Sequence, residues 1–383
     1  MPSQNSDKGE AIQASGESNF KKAAKKAKKQ VDNLLHVSLN IAVTGDSGAG
    51  KSTFINAIRG LEDDAQGAAK TGVTETTTEA TPYQHPTMSN VTLWDLPGIG
   101  TPNFKAKTYL KDVKFDTYDF FMIISSERFR ENDIMLAKQI QKKKKQFYFI
   151  RSKVDNDLRA EGSKISFSTE EMLSKIKTNC EENLKEIRNP KVFLISSKEF
   201  CAIDFEKLVD TLVSELPQHK QNALLQSVPV SSMAMLEKKV RMFEKAAWAA
   251  AFVSGAVAVA PVPGLSVACD AGILLAFFTR CYYSFGLDEK SLEKLSGRVD
   301  RPSLRVLIKS NLVLALAAES AARQEISALA GGAAVEYLCS LVPGAGSALA
   351  AVISFGLTHR LLQNGLKELA NTARTVLREA GLQ

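Results

Sequence analysis

The amino-acid sequence predicts an α/β domain with a mostly parallel sheet, followed by an all-helical domain. From residue 40 to residue 205, apolar runs of strand length alternate with charged helical stretches, which is the pattern of a parallel sheet covered by helices. After about Leu216 the strand signals stop, and long alanine- and leucine-rich stretches continue to the end of the sequence. A length of 383 residues, of which 44% are hydrophobic and 24% are charged, suits two globular domains.

The strands and the domain limits follow from these runs. We place the α/β domain at residues 37–216 and the helical domain at residues 217–383, with a helix break at Pro229. Residues 1–36 are expected to contribute a basic helical segment that packs on the helical domain. The predicted strands are Asn40–Thr44, Val91–Asp95, Phe120–Ser125, Phe147–Arg151 and Val192–Ser196.

Charge and cysteine usage limit the classes of function. The net charge of +7 is concentrated in two lysine runs, one between Lys21 and Lys29 and one at Lys142–Lys145. Because no aromatic residues are interleaved with them, these runs favour solvated helix faces; anionic surfaces are the alternative partners, and nucleic acid is not expected. The five cysteines are scattered without a CxxC spacing, so we expect neither disulfides nor a zinc site, and a reducing cytosolic compartment.

Two uncharged stretches raise the question of membrane insertion. Ala246–Cys269 and Tyr337–Thr358 each contain more than twenty residues without a formal charge. A proline-glycine pair, Pro263–Gly264 or Pro343–Gly344, divides each stretch into arms that are too short to cross a bilayer as helices. We therefore favour buried helical hairpins, with membrane insertion as the alternative. No secretory signal is evident at the start, and Pro2 stands where N-myristoylation requires glycine.

The segment between the first strand and the next helix matches a phosphate-binding loop. Gly45–Ser52 fits the pattern GxxxxGK[ST], in which glycines let backbone N–H groups turn toward phosphates. Lys51 is predicted to reach the β- and γ-phosphates, and Ser52 to ligate Mg²⁺. A chance glycine-rich turn is the alternative, which the strand-loop-helix setting disfavours. The predicted nucleotide contacts in this part of the chain are Gly45, Asp46, Ser47, Gly48, Ala49, Gly50, Lys51, Ser52 and Thr53.

Further motifs complete the site. Asp95–Gly98 is a DxxG element after the second predicted strand, so we expect Asp95 near Mg²⁺ and the Gly98 amide near the γ-phosphate. After the fourth strand, the Asp155 carboxylate can accept two hydrogen bonds from the N1–H and amino groups of guanine, which adenine does not offer. The predicted base-contacting residues are Ser152, Lys153 and Asp155, followed after the last strand by Ser196, Ser197 and Lys198.

A threonine-rich segment, Thr71–Thr78, stands between these motifs in the place of the loop that senses the γ-phosphate. One of its hydroxyls is expected to ligate Mg²⁺, and a solvated loop is the alternative for any single threonine. The motifs, in this order, predict a Ras-like P-loop GTPase domain that binds GTP or GDP together with Mg²⁺.

Longer segments of the chain match a known family. They are Gly45–Ser52, Thr71–Thr78, Trp94–Gly100, Tyr118–Phe121, Phe147–Phe149, Pro261–Gly264 and Ser284–Asp288. Together they resemble the immunity-related, interferon-inducible GTPases, of the type with lysine in the P-loop. The resemblance implies a dynamin-like GTPase of cell-autonomous immunity that assembles into a homodimer or higher homo-oligomer in the GTP state. It also implies a cytoplasmic protein with peripheral contact with intracellular membranes.

The resemblance further assigns roles in hydrolysis. Thr77 resembles the threonine of the γ-phosphate-sensing loop, and Glu75 aligns with a glutamate implicated in hydrolysis across a nucleotide-dependent dimer. Ile99 has no polar group to orient an attacking water, so we expect a solitary molecule to be slow. An exposed loop carboxylate is the alternative for Glu75, and a slow regulatory switch is the alternative function. The predicted catalytic residues are thus Glu75, Lys51 and Thr77, and the predicted metal ligands are Ser52, Thr77 and Asp95.

Overall fold

The computed structural model describes residues 37–72, 77–100, 105–163, 167–198, 203–257, 265–301, 304, 308, 310–324 and 355–382. Contacts divide the chain into two compact units, with a boundary after Ser231. The first unit, Val37–Ser231, contains all the strands found among the described residues, and the described part of the second unit is helical.

The α/β unit is built on a single mostly parallel sheet. Its strands follow the order β2-β3-β1-β4-β5-β6, in which β2 is antiparallel to β3 and every other neighbouring pair is parallel. The predicted fold class is confirmed, because the five apolar runs form the five parallel strands. The strands are β1 (Leu39–Gly45), β2 (Thr81–Gln84), β3 (Val91–Asp95), β4 (Phe120–Ser125), β5 (Gln146–Arg151) and β6 (Val192–Leu194).

The edge strand β2 is absent from the sequence-based prediction. Its residues alternate between half-buried and exposed positions, so no apolar run marks it. Pro82 also argues against a strand, since proline cannot donate to a ladder of hydrogen bonds. The strand is tolerated because it lies at the edge of the sheet, next to β3 alone.

The parallel strands bring polar residues together at one edge of the sheet. The register pairs Val43 of β1 with Asp95 of β3, and Gly45 of β1 with Ile124 of β4. The carboxyl ends of these strands therefore meet where open α/β sheets bind their ligands.

Helices cover the sheet and bury its aromatic side chains. On one face, Phe121 and Phe149 pack in a cluster with Leu110, Leu136 and Cys180, which come from three different helices. Each of these side chains is at most 1% exposed, so the sheet that carries the site is fixed by a dry core. The α-helices described in this unit are α1 (Lys51–Ile58), α2 (Ala106–Asp112), α3 (Glu131–Lys142), α4 (Val154–Glu161), α5 (Thr169–Asn183), α6 (Phe205–Glu215) and α7 (Gln218–Ser227).

Helix α7 belongs to the α/β unit and not to the helical unit. Its residues Ala223–Ser227 are buried, and the helix contacts β1 and β3. Near its start, Lys220 forms an ion pair with Asp119, the residue before β4. The boundary between the units therefore follows Ser231, whereas the sequence places it after residue 216.

The second lysine run, Lys142–Lys145, is only in part the solvated face that its composition favours. The Lys145 ammonium donates to the backbone carbonyls of Phe115, at 2.9 Å, and of Tyr118. It also lies 4.6 Å from the centre of the Phe115 ring, and the Lys143 ammonium lies 4.9 Å from the same ring. Burial lowers the pKa of Lys145. Part of this charge is thus engaged inside the unit.

The helical unit is held by a long pair of packed helices, the first and last of those described. Across this pair, Arg374 donates two hydrogen bonds to the Glu237 carboxylate, at 2.7 and 3.0 Å. The buried Lys239 ammonium donates to the Ser284 carbonyl at 2.7 Å. The predicted break at Pro229 falls between α7 and the next helix. The helices described in this unit are α8 (Met233–Val257), α9 (Leu265–Ser284), α10 (Glu289–Val299), α11 (Asn311–Gln324) and α12 (Phe355–Glu379).

The segments considered for membrane contact are described only in part. Residues 246–269 lie in α8 and α9 except for 258–264, and of residues 337–358 only 355–358 are described. Within the described part of the chain, no helix combines the length and apolar character needed to cross a membrane. The predicted basic segment 1–36 lies outside the described residues.

Candidate nucleotide-binding site

The predicted phosphate-binding loop joins β1 to α1, and its shape requires glycine. Gly45 has a φ of +139°, and a Cβ there would lie 1.9 Å from the Ile124 carbonyl oxygen. Gly50, with a φ of 88°, precedes the first residue of α1. In α1, which is described throughout, no side chain caps the first turn and no acidic residue lies in it. The N–H groups and the dipole of this helix are therefore available to an anion.

Lys51 extends across the loop. Its side chain is buried, and its ammonium donates to the carbonyls of Gly45 at 3.2 Å and Asp46 at 3.0 Å. This position suits a cation that contacts the terminal phosphates of a nucleotide. The cavity at the loop is lined by Ser47, Gly48, Gly50, Lys51, Ser52, Thr53, Thr71, Gly72, Thr77, Gly98 and Lys153.

Asp95 brings the three predicted metal ligands together. Its Oδ2 accepts hydrogen bonds from Ser52 Oγ at 2.7 Å and from Thr77 Oγ1 at 3.1 Å. Burial raises the pKa of Asp95, and the Ser52 hydrogen bond, the Lys51 charge and the Thr77 hydrogen bond oppose that rise.

This donor set fits a hard divalent cation. Among the described residues, Asp95 Oδ1 is buried without a hydrogen-bond partner. The Ser52 and Thr77 hydroxyls direct their hydrogens to Oδ2, which leaves oxygen lone pairs for another ligand. Mg²⁺ prefers oxygen ligands and is usually bound by one or two carboxylates together with phosphates. The buried oxygen and the two hydroxyls can therefore hold Mg²⁺ beside a bound phosphate.

The DxxG turn is fixed to β1 by its backbone. The Leu96 N–H donates to the Val43 carbonyl at 2.9 Å, and the Ile99 N–H donates to the Gly45 carbonyl at 3.3 Å. These bonds place Gly98 at the cavity wall. The Ile99 side chain is fully buried in the apolar cluster and offers no group to the cavity.

The first predicted base-contacting loop is tied to the phosphate-binding loop. Lys153 has a φ of 56°, and its ammonium donates to the Gly48 carbonyl at 2.8 Å. The Ser152 hydroxyl donates to the Ala49 carbonyl at 2.6 Å and is 1% exposed. Ser152 is thus used inside the protein to join the two loops, whereas its sequence position predicts a nucleotide contact.

The remaining predicted residues lie outside the phosphate cavity. Asp155 is buried in the first turn of α4. In the second base-contacting loop, Ser196 is buried, Ser197 is half-buried and Lys198 is exposed. The residue before this loop, Ile195, donates its N–H to the carbonyl of Arg151 at the end of β5, at 2.8 Å. Glu75 lies outside the described residues, so its predicted role stays a prediction.

Comparison with known proteins decides the family. The sequence model of the interferon-inducible GTPase (IIGP) family matches residues 7–380. The chain belongs to this family. It is 40% identical over 309 residues to Interferon-inducible GTPase 1 of Mus musculus. This match covers 79% of this chain and 74% of that relative. It is also 40% identical over 345 residues to Interferon-inducible GTPase 5 of Rattus norvegicus, covering 88% of this chain and 74% of that relative.

The predicted resemblance to immunity-related GTPases is confirmed, and the chain is a guanine-nucleotide-binding GTPase. Among solved structures, Toc33 from Arabidopsis thaliana in complex with GDP and Mg²⁺ is 14% identical with a TM-score of 0.32. That likeness covers 45% of this chain and 78% of the other chain, and it adds nothing to the assignment.

Sequence reasoning missed contacts that reach the site of this GTPase from α2 and from the residue before α3. Tyr109 of α2 donates a hydrogen bond from its hydroxyl to the Pro97 carbonyl at 2.9 Å. Arg130, the residue before α3, forms an ion pair with Asp46 at 3.4 Å. Neither residue belongs to a nucleotide-binding motif, so only the fold reveals that they approach the phosphate-binding and DxxG segments.

Proposed function

We propose that this GTPase binds GTP with Mg²⁺ and hydrolyses it faster when two molecules meet at their nucleotide faces. The observation that carries the proposal is the burial of Ile99, which directly follows Gly98 and is 0% exposed. In Ras, a glutamine orients the attacking water. Since Ile99 offers no such group, another residue has to supply it, and we infer that a second molecule orders that residue.

The described side chains support the binding steps of this proposal. The N–H groups of the phosphate-binding loop and the Lys51 ammonium bind the phosphates, and Asp95, Ser52 and Thr77 hold Mg²⁺. When bound, Mg²⁺ neutralises charge on the β- and γ-phosphates. The Asp155 carboxylate recognises guanine by accepting its two N–H donors.

Glu75 is our candidate for the group that completes the site in the assembled state. In the sequence it stands between Gly72 and Thr77, both of which line the phosphate cavity. A carboxylate at the interface of two nucleotide faces can orient a water or contact the partner's nucleotide. The proposal therefore couples hydrolysis to the formation of a homodimer or higher homo-oligomer in the GTP state.

Phosphate release measured against protein concentration tests this proposal. We expect the rate per molecule to rise steeply with concentration, because the complete site needs two molecules. A rate per molecule that stays flat would overturn assembly-driven hydrolysis and would favour a slow regulatory switch instead.

Two variants separate nucleotide binding from the concentration-dependent hydrolysis. Lys51→Ala is expected to abolish nucleotide binding, whereas Glu75→Ala is expected to keep binding and lose only the concentration-dependent part of the rate. Glu79→Ala is the matched control, since it removes an exposed carboxylate four residues further along the chain. Equal losses in the Glu75 and Glu79 variants would contradict a specific role for Glu75.

We also propose that the protein is cytoplasmic and contacts intracellular membranes peripherally. The family resemblance and the net charge of +7 support an attraction to anionic lipid surfaces. Co-sedimentation with vesicles of phosphatidylserine and phosphatidylcholine should be stronger than with phosphatidylcholine alone, and should weaken in high salt. Equal recovery with both vesicle types, with GDP and with a GTP analogue, would overturn this part of the proposal.

A further inference from the structure

We propose that Tyr109 is a positioning residue for the γ-phosphate. Its hydroxyl holds the peptide between Pro97 and Gly98 so that the Gly98 N–H points into the nucleotide cavity. This inference rests on the proposed function, in which the Gly98 amide meets the γ-phosphate of GTP.

The Tyr109 hydroxyl joins the DxxG turn to the end of β1. It lies 2.9 Å from the Pro97 carbonyl oxygen and 2.8 Å from Thr44 Oγ1. Because a carbonyl can only accept, Tyr109 donates to Pro97, and the Thr44 hydroxyl donates to Tyr109. Because the buried Thr44 hydroxyl donates to Tyr109, the phenol proton is directed to the Pro97 oxygen. Burial raises the pKa of Tyr109 far above its ordinary value, so the hydroxyl keeps that proton at neutral pH.

A planar peptide transmits this contact to Gly98. In a trans peptide, the carbonyl oxygen and the following N–H point in opposite directions, and the described peptides are all trans. A Pro97 oxygen that is held toward Tyr109 therefore turns the Gly98 N–H to the opposite side. Gly98 lines the nucleotide cavity, so this orientation serves a phosphate oxygen bound there.

The peptide between Pro97 and Gly98 needs a restraint of its own. The N–H groups of Leu96 and Ile99, on either side, bond to β1 carbonyls at 2.9 and 3.3 Å. Glycine at position 98 lets the intervening peptide rotate at little steric cost. If the Tyr109 bond is lost, this peptide can rotate and the γ-phosphate loses a donor. GDP has no γ-phosphate, so its affinity should not change.

Tyr109→Phe tests the inference, because it removes one hydroxyl and keeps the ring. The matched control is Tyr118→Phe, which removes another phenol hydroxyl, bonded to the Val113 carbonyl at 2.6 Å in the same core. We would measure affinities for GDP and for a non-hydrolysable GTP analogue, both with Mg²⁺. In Tyr109→Phe, the analogue should bind about 3- to 10-fold more weakly while GDP affinity stays unchanged. In Tyr118→Phe, the ratio of the two affinities should equal that of the wild type.

Each result of these affinity measurements either supports or overturns the proposal. Unchanged affinity for both nucleotides in Tyr109→Phe, or equal losses for both, would overturn the positioning role. Thr44→Val is a second variant that frees the phenol proton, and it should lower analogue affinity selectively by a smaller factor; it carries the test if Tyr109→Phe does not fold. If the wild-type protein bound neither nucleotide, the proposed function would fail and this inference with it.

Discussion

Replacing Asp133 by asparagine should change how the stability of the α/β unit depends on pH. Asp133 lies in the first turn of α3 and is 1% exposed. Its Oδ2 accepts the Arg130 N–H at 2.8 Å, while its Oδ1 is buried without a hydrogen-bond partner among the described residues. Burial raises the pKa of Asp133 to about 7; the Arg130 N–H opposes the rise, and the Asp46 carboxylate adds to it.

The raised pKa of Asp133 determines the size and the sign of the pH effect on stability. An unfolded aspartate has a pKa of about 3.9, so between about pH 4 and pH 7 the native state keeps a proton that the unfolded chain has released. The free energy of unfolding therefore falls as the pH rises through this window. Between pH 5 and pH 8, the carboxyl should lower it by about 2–3 kcal/mol. Asparagine does not ionise, so Asp133→Asn should lack this loss.

Urea unfolding of the α/β unit measures the effect. The chain has two tryptophans, so a Trp248→Phe background leaves Trp94 of β3 as the only fluorescent reporter of this kind. We would compare the background protein with its Asp133→Asn variant at pH 5 and pH 8. The contributions of the other titrating groups to the free energy of unfolding cancel when the two proteins are compared. Glu131→Gln, which removes an exposed carboxyl from the same helical turn, is the control. If Asp133→Asn and its background lose equal stability between the two pH values, the reasoning is refuted.

Two further predictions use matched pairs of positions. Gly45→Ala should abolish nucleotide binding and lower the melting temperature strongly, because a Cβ would lie 1.9 Å from the Ile124 oxygen. Gly48→Ala, at a φ of +74° with nothing within 4 Å of its Cβ, should cost only about 1–2 kcal/mol in the same melting experiment. Lys145→Ala should destabilise the protein by about 1.5–3 kcal/mol in urea, because its ammonium bonds to backbone carbonyls, and the exposed Lys144→Ala should change stability much less. Equal effects within either pair would contradict these contacts.

The sequence predicts two of the strands well because they are mainly apolar: every position of Phe120–Ser125 is buried, and Val91–Asp95 alternates between buried and half-buried positions. Val91–Asp95 and Phe120–Ser125 have the predicted limits to the residue. Edge strand β2 could not be found in this way, because its side chains are half-buried or exposed and Pro82 interrupts the pattern. The domain limit was misplaced for a related reason: α7 is helical like the residues that follow, and only its tertiary contacts assign it to the sheet.

The residues of the site differ in the same way: a local sequence motif marks some of them, and only tertiary contacts reveal the others. Lys51 and Ser52 are predictable because one short loop both binds phosphate and starts a helix. The hydroxyl of Ser152 bonds to the Ala49 carbonyl, a contact between segments far apart in the sequence, so no spacing reveals it. Tyr109 is invisible for the same reason, because its partners Thr44 and Pro97 lie on other elements. The bond of Asp133 to the Arg130 N–H is local, and what the sequence does not reveal is the burial of its carboxyl group.

The carbonyl oxygens on both sides of Gly98 are held by side chains from two different helices. Tyr109 of α2 donates to the Pro97 oxygen at 2.9 Å, and Asn132 of α3 donates to the Ile99 oxygen at 2.6 Å. A displacement of this turn therefore has to break one of these hydrogen bonds or carry a helix with it. One such bond contributes about 0.5–1.5 kcal/mol, so a tenfold difference in affinity, about 1.4 kcal/mol, is enough to offset it. A nucleotide-dependent motion of the turn would therefore either release it from α2 or α3 or move one of these helices with it.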